Sequence, residues 1–342
     1  MKHCGMDVHL QSTTVEILDP ATGEIARKVV ATERGALRRW LSREARMRVV
    51  LEAGQSSHWV AELAEECGHE VVVVDPNRTK AVAVAGGHKK TDRIDAATLA
   101  WLSTKDALVP SHRAPQADRQ CRRTLTLRQR LVRCRGDLVR AVRAALAGEG
   151  IRIRVKRGFP AAVRLALGPD ASAGVLGRVL EVIEVVEENI GECDRVVEQA
   201  AKSDPVVELL MTADGVGPIV GTAFRVAVGS PRRFRSGREV AAYFGLTPTV
   251  HNSGEARNRL GHISRHGDRL VRSLLVQAAH SVLGPRRKPS DLRAWGMRTS
   301  ARVGKKKAIV ALARKLCVIL WAMWKHERPF IRAMTTTAAL PA

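Results

Sequence analysis

Four consecutive valines, Val71 to Val74, stand between Glu70 and Asp75 and are stopped at Pro76. A short run that is apolar on both faces reads as a buried strand, and proline ends it because it has no N–H to give to a ladder. Met47 to Leu51 is a second buried strand, ending at Glu52, after which Ala53 and Gly54 turn the chain. Before these, residues 2–8, Thr13 to Leu18 and Glu24 to Val30 predict three short strands joined by tight turns, the second turn carrying Pro20, Ala21, Thr22 and Gly23. Helices from about Glu33 to Arg46, and through Trp59 and Leu63, separate the later strands. Three antiparallel strands followed by alternating helix and strand make an α/β plan whose strand ends bring functional groups to one edge.

Acids fall where that plan would use them. Lys89-Lys90-Thr91-Asp92-Arg93-Ile94-Asp95-Ala96-Ala97-Thr98-Leu99-Ala100-Trp101-Leu102 predicts a helix from Asp92 onward, with Thr91 as its cap and Ile94, Leu99 and Leu102 on a buried face. Asp92 and Asp95, three apart in the first turn, then project to one side. Like charges held that close call for a cation between them, and an oxygen-only pair suits a hard metal such as Mg²⁺. The plainer reading is that acids in a first turn complement the helix macrodipole. Asp7 lies inside an apolar strand, where a carboxylate is costly without a partner. Glu52 closes the fourth strand, and Asp75, at another strand end, is a substitute for one of the set. Lys89 and Lys90 are placed to meet a DNA phosphate or simply to be solvated.

This order of elements, with Asp7, Glu52, Asp92 and Asp95 at these positions, resembles the RNase H-like fold in its RuvC-like, DEDD form. The resemblance implies two-metal phosphoryl chemistry, with paired Mg²⁺ ions roughly 3.5–4 Å apart stabilising the attacking and leaving oxygens.

The charge of the chain names the class of partner. Lys and Arg number 57 against 34 Asp and Glu, a net +23 over 342 residues, and such an excess asks for a polyanion. Aromatic residues are only 4%, with one tyrosine, so phosphate contact rather than base stacking is expected to dominate. Cysteines at 4, 67, 121, 134, 193 and 317 form no CxxC or zinc spacing and are expected to be small buried residues in a reducing compartment. The sequence opens on a strand-like segment rather than a signal peptide, and no apolar run approaches membrane-spanning length; a cytoplasmic protein is expected.

From Ser111 to Leu165 there are fifteen Lys and Arg against three acids. Leu125, Leu127, Leu131, Leu138, Val142 and Leu146 give the stretch from Gln116 an apolar stripe, which predicts a long helix with an arginine-rich face. Pro160, Gly168 and Pro169 break the pattern. A second helix, about Gly174 to Lys202, carries seven acids and three bases. Two long helices of opposite charge predict an antiparallel coiled-coil hairpin, leaving a basic surplus for DNA or RNA backbone, with Arg122, Arg123, Arg130 and Arg133 as candidates. The hairpin is also a candidate junction between protomers.

Further on, Leu209-Leu210-Met211-Thr212-Ala213-Asp214-Gly215-Val216-Gly217-Pro218 resembles a helix-hairpin-helix turn, in which Gly215 and Gly217 would open backbone N–H groups to a phosphate. Then come Tyr243-Phe244-Gly245-Leu246-Thr247-Pro248, with Tyr243 expected in the core, and His251-Asn252-Ser253-Gly254. The run closes on Gly261-His262-Ile263-Ser264-Arg265-His266-Gly267-Asp268-Arg269-Leu270-Val271-Arg272. A GLTP-type segment, then Ser-Gly, then Gly-x-Ile-Ser-Arg-x-Gly ending in Leu-x-Arg resembles the insertion-sequence transposases of family one hundred and ten, the bridge-RNA-guided DEDD recombinases. The match runs from Gly5-Met6-Asp7-Val8-His9 to the helix ending near Met323.

That resemblance implies Ser253 as nucleophile, donor and target DNA and a non-coding guide (bridge) RNA as partners, and a homo-oligomer, a dimer assembling to a tetramer, whose protomers share a composite site. A hydroxyl on a Gly-flanked turn can approach a phosphodiester closely but needs activation, which its own segment does not supply. A turn-forming serine is the commoner role of a Ser-Gly pair, and Ser264 is a rival, although it is placed to cap a helix beginning near His266. Arg257, Arg259, Arg265, Arg269 and Arg272 are candidate phosphate contacts, as are Lys305 and Lys306 within residues 284–307, which hold nine bases and one acid.

The domains expected are a RuvC-like α/β domain over 1–110, a coiled-coil hairpin over 111–203, a mostly α transposase domain over 204–334 and a tail over 335–342. The function expected is RNA-guided exchange of DNA strands through a covalent phosphoserine. The rivals are a RuvC-type hydrolytic junction nuclease and a non-catalytic nucleic-acid-binding protein.

Overall fold

The computed structural model describes residues 1–76, 79, 82, 95–155, 157–169, 174–253, 256–285 and 288–332, the side chains of residues 250–260 excepted. The chain divides after Arg113 into two compact units.

The first unit is a five-stranded sheet: β1 (His3–Val8), β2 (Ser12–Leu18), β3 (Ile25–Ala31), β4 (Arg48–Glu52) and β5 (Glu70–Val74), in spatial order β3-β2-β1-β4-β5. The first three are antiparallel neighbours, while β4 and β5 run parallel to β1. The parallel part is buried on both faces, as its unbroken apolar runs require. Cys4, Met6, Val49, Leu51 and Val73 pack with α1 (Arg34–Leu41) and α2 (Ser57–Glu66). Val50 and Val74 meet Leu99 of α3 (Ala96–Thr104) on the other face. At one edge β3 is exposed and carries Arg27 and Lys28, which discourage a further strand. At the other, Ser111 N–H donates to the Val73 carbonyl at 2.8 Å and Pro110 bridges Val74, so the β5 edge is covered.

Helix α1 ends at Leu41 rather than near Arg46. Leu37, Trp40 and Leu41 reach the core, and no residue after them is buried until Met47, so further turns would bury little.

The second unit is mostly helical. Helix α4 (Gln116–Gly148) and α6 (Gly174–Lys202) lie antiparallel as a helical hairpin within this unit, with the short α5 (Phe159–Leu167) between them. Arg128 pairs with Asp194, and Arg135 with Glu187 at 2.5 Å, so the numbering rises along one helix as it falls along the other. Phe159 and Val163 of α5 join Val142, Leu146, Leu180 and Ile183 in the core of the hairpin.

Helices α7 (Pro205–Met211), α8 (Pro218–Val228) and α9 (Gly237–Tyr243) follow, then a hairpin of β6 (Pro248–Ser253) and β7 (Ala256–Ile263), then α10 (Arg269–Val282), α11 (Asp291–Val303) and α12 (Lys305–His326). Leu312, Leu316 and Leu320 of α12 pack with Phe224, Phe244, Leu275 and Ala279. Tyr243, expected in this core, is 41% exposed and lies edge-on to Phe234 and Phe244, because Phe244 takes the inward position. The cysteines are not uniformly buried either: Cys4 and Cys317 are, whereas Cys134 is exposed on α4. No described helix is long and apolar enough to cross a membrane.

Candidate functional site

In the first unit, β1, β4 and β5 run parallel and so end at one edge of the sheet, which is where an α/β fold gathers its chemistry. The register pairs Gly5 with Val50 and Met6 with Leu51; continued by one step, it brings Asp7 level with Glu52. Side chains alternate along a strand, so Asp7 shares the face of Gly5, and Glu52 that of Val50. This is the face α3 covers.

Helix α3 runs antiparallel to β1. His3 Nδ1 is 2.7 Å from Ser103 Oγ near the end of the helix, while Ala96 and Ala100 lie over Gly5 nearer its start. The N-terminus of α3, with Asp95, therefore points toward the edge that holds Asp7 and Glu52. The helix can lie this close because residue 5 has no side chain: a Cβ there would stand 1.9 Å from the Ala96 carbonyl oxygen.

Asp95 is not in a first helical turn. Its backbone is extended (φ −85°, ψ 171°) and its carboxylate accepts the Thr98 N–H at 2.8 Å, so it is the N-cap of a helix starting at Ala96. A short acid there satisfies one of the donors a helix start leaves open, which outweighs continuing the helix backward. Asp92, Lys89 and Lys90 lie outside the described residues, as does Thr91.

Electrostatically the described part of the edge is acidic. Glu52 is half-buried and its carboxyl titrates above the ordinary glutamate range, first because burial disfavours the charge, then because Asp7 and Asp75 face it. Asp7 meets the imidazole of His9, Nε2 to Oδ2 at 3.1 Å, a partner the sequence reading missed although His9 stands two residues along the strand. Among the described residues, no three His, Cys, Asp or Glu side chains converge closely enough to hold a metal ion. The donor set is nonetheless all carboxylate oxygen, the chemistry of a hard divalent cation rather than of zinc or copper.

In the second unit, Ser253 ends β6 of a two-stranded arm. Among the described elements, β6 and β7 pack on each other and on no other strand or helix to a comparable extent. Two irregularities in the register, between Pro248 and Val250 and between His251 and Ser253, bend the arm. Arg257 and Arg259 are on β7; of their side chains nothing is described. Arg265 and Arg269 are exposed at the arm's return, Arg265 in the left-handed region at φ 57°. Ser264 caps no helix: its N–H donates to the Thr247 carbonyl, and Asp268 caps α10 instead, accepting from Leu270 and Val271.

Several candidate phosphate contacts are turned inward. Arg122 pairs with Asp268, and Arg272 donates to the carbonyls of Phe244 and His266, each at 2.9 Å. Gly215, at φ 78°, is explained by packing, since a Cβ there would lie 2.6 Å from the Ala278 carbonyl oxygen; the Val216 N–H is used within the turn. Gly217 is the N-cap of α8. Arg123 and Arg130 are exposed on α4 and Arg133 is partly so, while Lys305 and Lys306 are exposed in the first turn of α12. The sequence reading also missed Arg225 of α8, which pairs with Asp118 and, at 2.7 Å, with Asp204. Pairs so distant in sequence leave no local signal.

Comparison with known proteins covers both units. A model described as a transposase, of the DEDD type found in IS110 elements, matches residues 4–150. A second, described as the transposase IS116/IS110/IS902 family, matches residues 207–294. The chain is 29% identical to a probable family 20 transposase of Pseudomonas aeruginosa over 96% of this chain and 98% of that one. It is 32% identical to the putative transposase y4pF/y4sB of Sinorhizobium fredii, over 89% and 82% of the two. It is 27% identical to the transposase for insertion sequence element IS1111A of Coxiella burnetii, over 89% and 85%.

Proposed function

Since the chain belongs to the IS110 family of insertion-sequence transposases, we propose that it exchanges DNA strands through a serine nucleophile, Ser253, assisted by a divalent cation at Asp7, Glu52, Asp92 and Asp95. The observation that carries this reading is the electrostatics of the sheet edge. Strands β1, β4 and β5 end at one edge, toward which the start of α3 points, and burial together with Asp7 and Asp75 holds Glu52 above its usual range. Like-charged carboxylates at one sheet edge, one of them held above its usual range, suit a divalent cation. When bound, Mg²⁺ supplies charge neutralisation at the scissile phosphate.

The remaining roles belong to the chain. In the proposed reaction the Ser253 oxygen bonds to phosphorus, its proton leaves to a base, and the bond from phosphorus to one sugar oxygen breaks. The energy of the diester is kept in the phosphoserine, so a sugar hydroxyl from a second strand can displace the serine without a nucleotide cofactor. Ser253 stands at the end of an extended arm and beside a glycine, which suits approach to a diester. The N-terminal sheet, in order β3-β2-β1-β4-β5 with the first three antiparallel, supports an RNase H-like, RuvC-like assignment.

Nucleic-acid backbone is assigned to Arg123, Arg130 and Arg133 on the hairpin, to Arg257, Arg259, Arg265 and Arg269 around the arm, and to Lys305 and Lys306. Three lysines open α12 with no acid in its first turn, an arrangement the helix macrodipole disfavours unless anions are near. A guide RNA and assembly into dimers and tetramers follow from the family resemblance, and the basic excess of +23 suits them.

The test is to incubate the protein with Mg²⁺ and end-labelled element DNA, denature it, and look for label that stays with a peptide containing residue 253. A covalent adduct lost in Ser253→Ala and in Glu52→Gln is the expected result. Cleavage by Ser253→Ala at the wild-type rate would show that water is the nucleophile.

A further inference from the structure

The arm that carries Ser253 joins the second unit through two chain segments, Tyr243 to Thr247 entering and Ser264 to Gly267 leaving. They cross at contact distance. Gly245 and Gly267 both have positive φ, 65° and 72°, and a Cβ on the first would stand 2.2 Å from the His266 carbonyl oxygen. A Cβ on the second would stand 1.9 Å from that of Tyr243. Ser264 N–H donates to Thr247 at 2.8 Å and Arg265 N–H to Gly245 at 3.2 Å, closing the root of the arm.

The carbonyls of Phe244 and His266, one from each segment, point to a single group: Arg272 Nη1, at 2.9 Å from both. Arg272 is on α10, whose cap Asp268 is itself paired with Arg122 of the hairpin. Two carbonyls held by one nitrogen of a planar guanidinium make a pre-organised clamp, since that group loses less freedom per bond than a lysine would. Partial burial of a cation facing Arg265 and Arg269 as well as Asp268 is unfavourable, and the two carbonyls offset that cost.

We propose that Arg272 is a positioning residue that sets the direction in which the Ser253 arm leaves the body of the unit, and that Arg122 and Asp268 tie this clamp to the helical hairpin. It holds neither DNA nor the reacting phosphate. The activity arm of the test rests on Ser253 as nucleophile; the geometric arm does not.

The experiment uses the full chain with spin labels on non-canonical residues at Ala256, on the arm, and at His280, exposed on α10. In Arg272→Gln the distance distribution between the labels is expected to broaden. DNA affinity and its salt dependence stay at the wild-type values, and single-turnover cleavage falls roughly 10- to 100-fold, the usual result of misplacing a reacting group by about an ångström. Arg272→Lys, which keeps the charge on a shorter side chain without the planar group, gives an intermediate width and rate, and it supplies the same readout if the glutamine variant does not fold. An unchanged distribution in the folded variants overturns the proposal, and a reduced salt slope alongside it would make Arg272 a phosphate ligand. Wild-type cleavage from a loosened arm overturns it as well when Ser253→Ala is inactive. If Ser253→Ala also cleaves, only the nucleophile assignment falls and the clamp is judged on the distances.

Discussion

Gly5 of β1 and Ala96 of α3 meet backbone to backbone, with the Ala96 carbonyl oxygen 1.9 Å from where a Cβ on residue 5 would be. No rotamer relieves such a contact, so a methyl group there must lift the helix. Gly5→Ala is expected to cost at least about 2 kcal/mol of stability, in the upper part of the range for overpacking. Because α3 carries Asp95 toward Asp7 and Glu52, the same substitution is expected to weaken Mg²⁺ binding in whatever fraction folds. Urea unfolding and Mg²⁺ titration of the soluble variant check the two effects separately.

Glu52 gives a pH dependence whose sign follows from its raised carboxyl pKa in the fold. Between its ordinary pKa and the raised one, the folded state holds a proton that the unfolded state has released. Stability from this group therefore falls as pH rises through that window and is flat above it. In metal-free protein, Glu52→Gln is expected to raise the melting temperature at pH 7 and to flatten its decline across the mildly acidic range. Saturating Mg²⁺, at about 100 times its dissociation constant, should stabilise the wild type by about 2.7 kcal/mol and the variant by much less. Calorimetry with chelator and with Mg²⁺ gives all four values; a wild type insensitive to Mg²⁺ would remove the metal from this edge.

How much of this was legible follows the range of the interaction. The valine run Val71 to Val74 and the stripe of Leu125, Val142 and Leu146 are local patterns, and strand β5 and helix α4 lie where those patterns predict. The level placing of Asp7 and Glu52 was partly legible, since strand ends in such a plan share an edge. Asp95 as a cap was not: an acid three residues after another suits a helical turn and a helix start equally, and the distinction lies in the Thr98 N–H it accepts. Inward arginines were invisible for a different reason. Arg122 and Arg272 look like their exposed neighbours Arg123 and Arg269 until Asp268, Phe244 and His266 are in place. Ser253 ends an extended strand, and its reactivity remains with the proposed chemistry.

Arg225 joins three elements by pairing with Asp118 at the start of α4 and Asp204 at the cap of α7. Asp118 is among the buried charged residues, so removing its partner leaves a carboxylate with little water. Arg225→Gln is expected to destabilise the second unit by about 3 kcal/mol, as breaking a buried pair commonly does. Asp118→Asn made together with it should recover part of that loss, because the orphaned charge goes too. A double-mutant cycle by urea unfolding measures the recovery, and strict additivity of the two losses would show that the pair does not couple.

Lys305, Lys306 and Lys307 sit in the first turn of α12, where the helix presents its positive end and no acid offsets them. In the isolated protein each is expected to lower stability, by about 0.3–1 kcal/mol at low ionic strength. Against a phosphate backbone each instead releases a counterion, and the slope of log K against log salt changes by about 0.9 for every contact. Replacing Lys305 and Lys306 by glutamine should therefore raise the melting temperature of the free protein and weaken DNA binding at low salt. Stability and affinity move in opposite directions only if these lysines are kept for an anion. Melting curves at low salt, set beside binding isotherms at several salt concentrations, decide it: a fall in melting temperature with an unchanged salt slope would make the lysines ordinary surface charge.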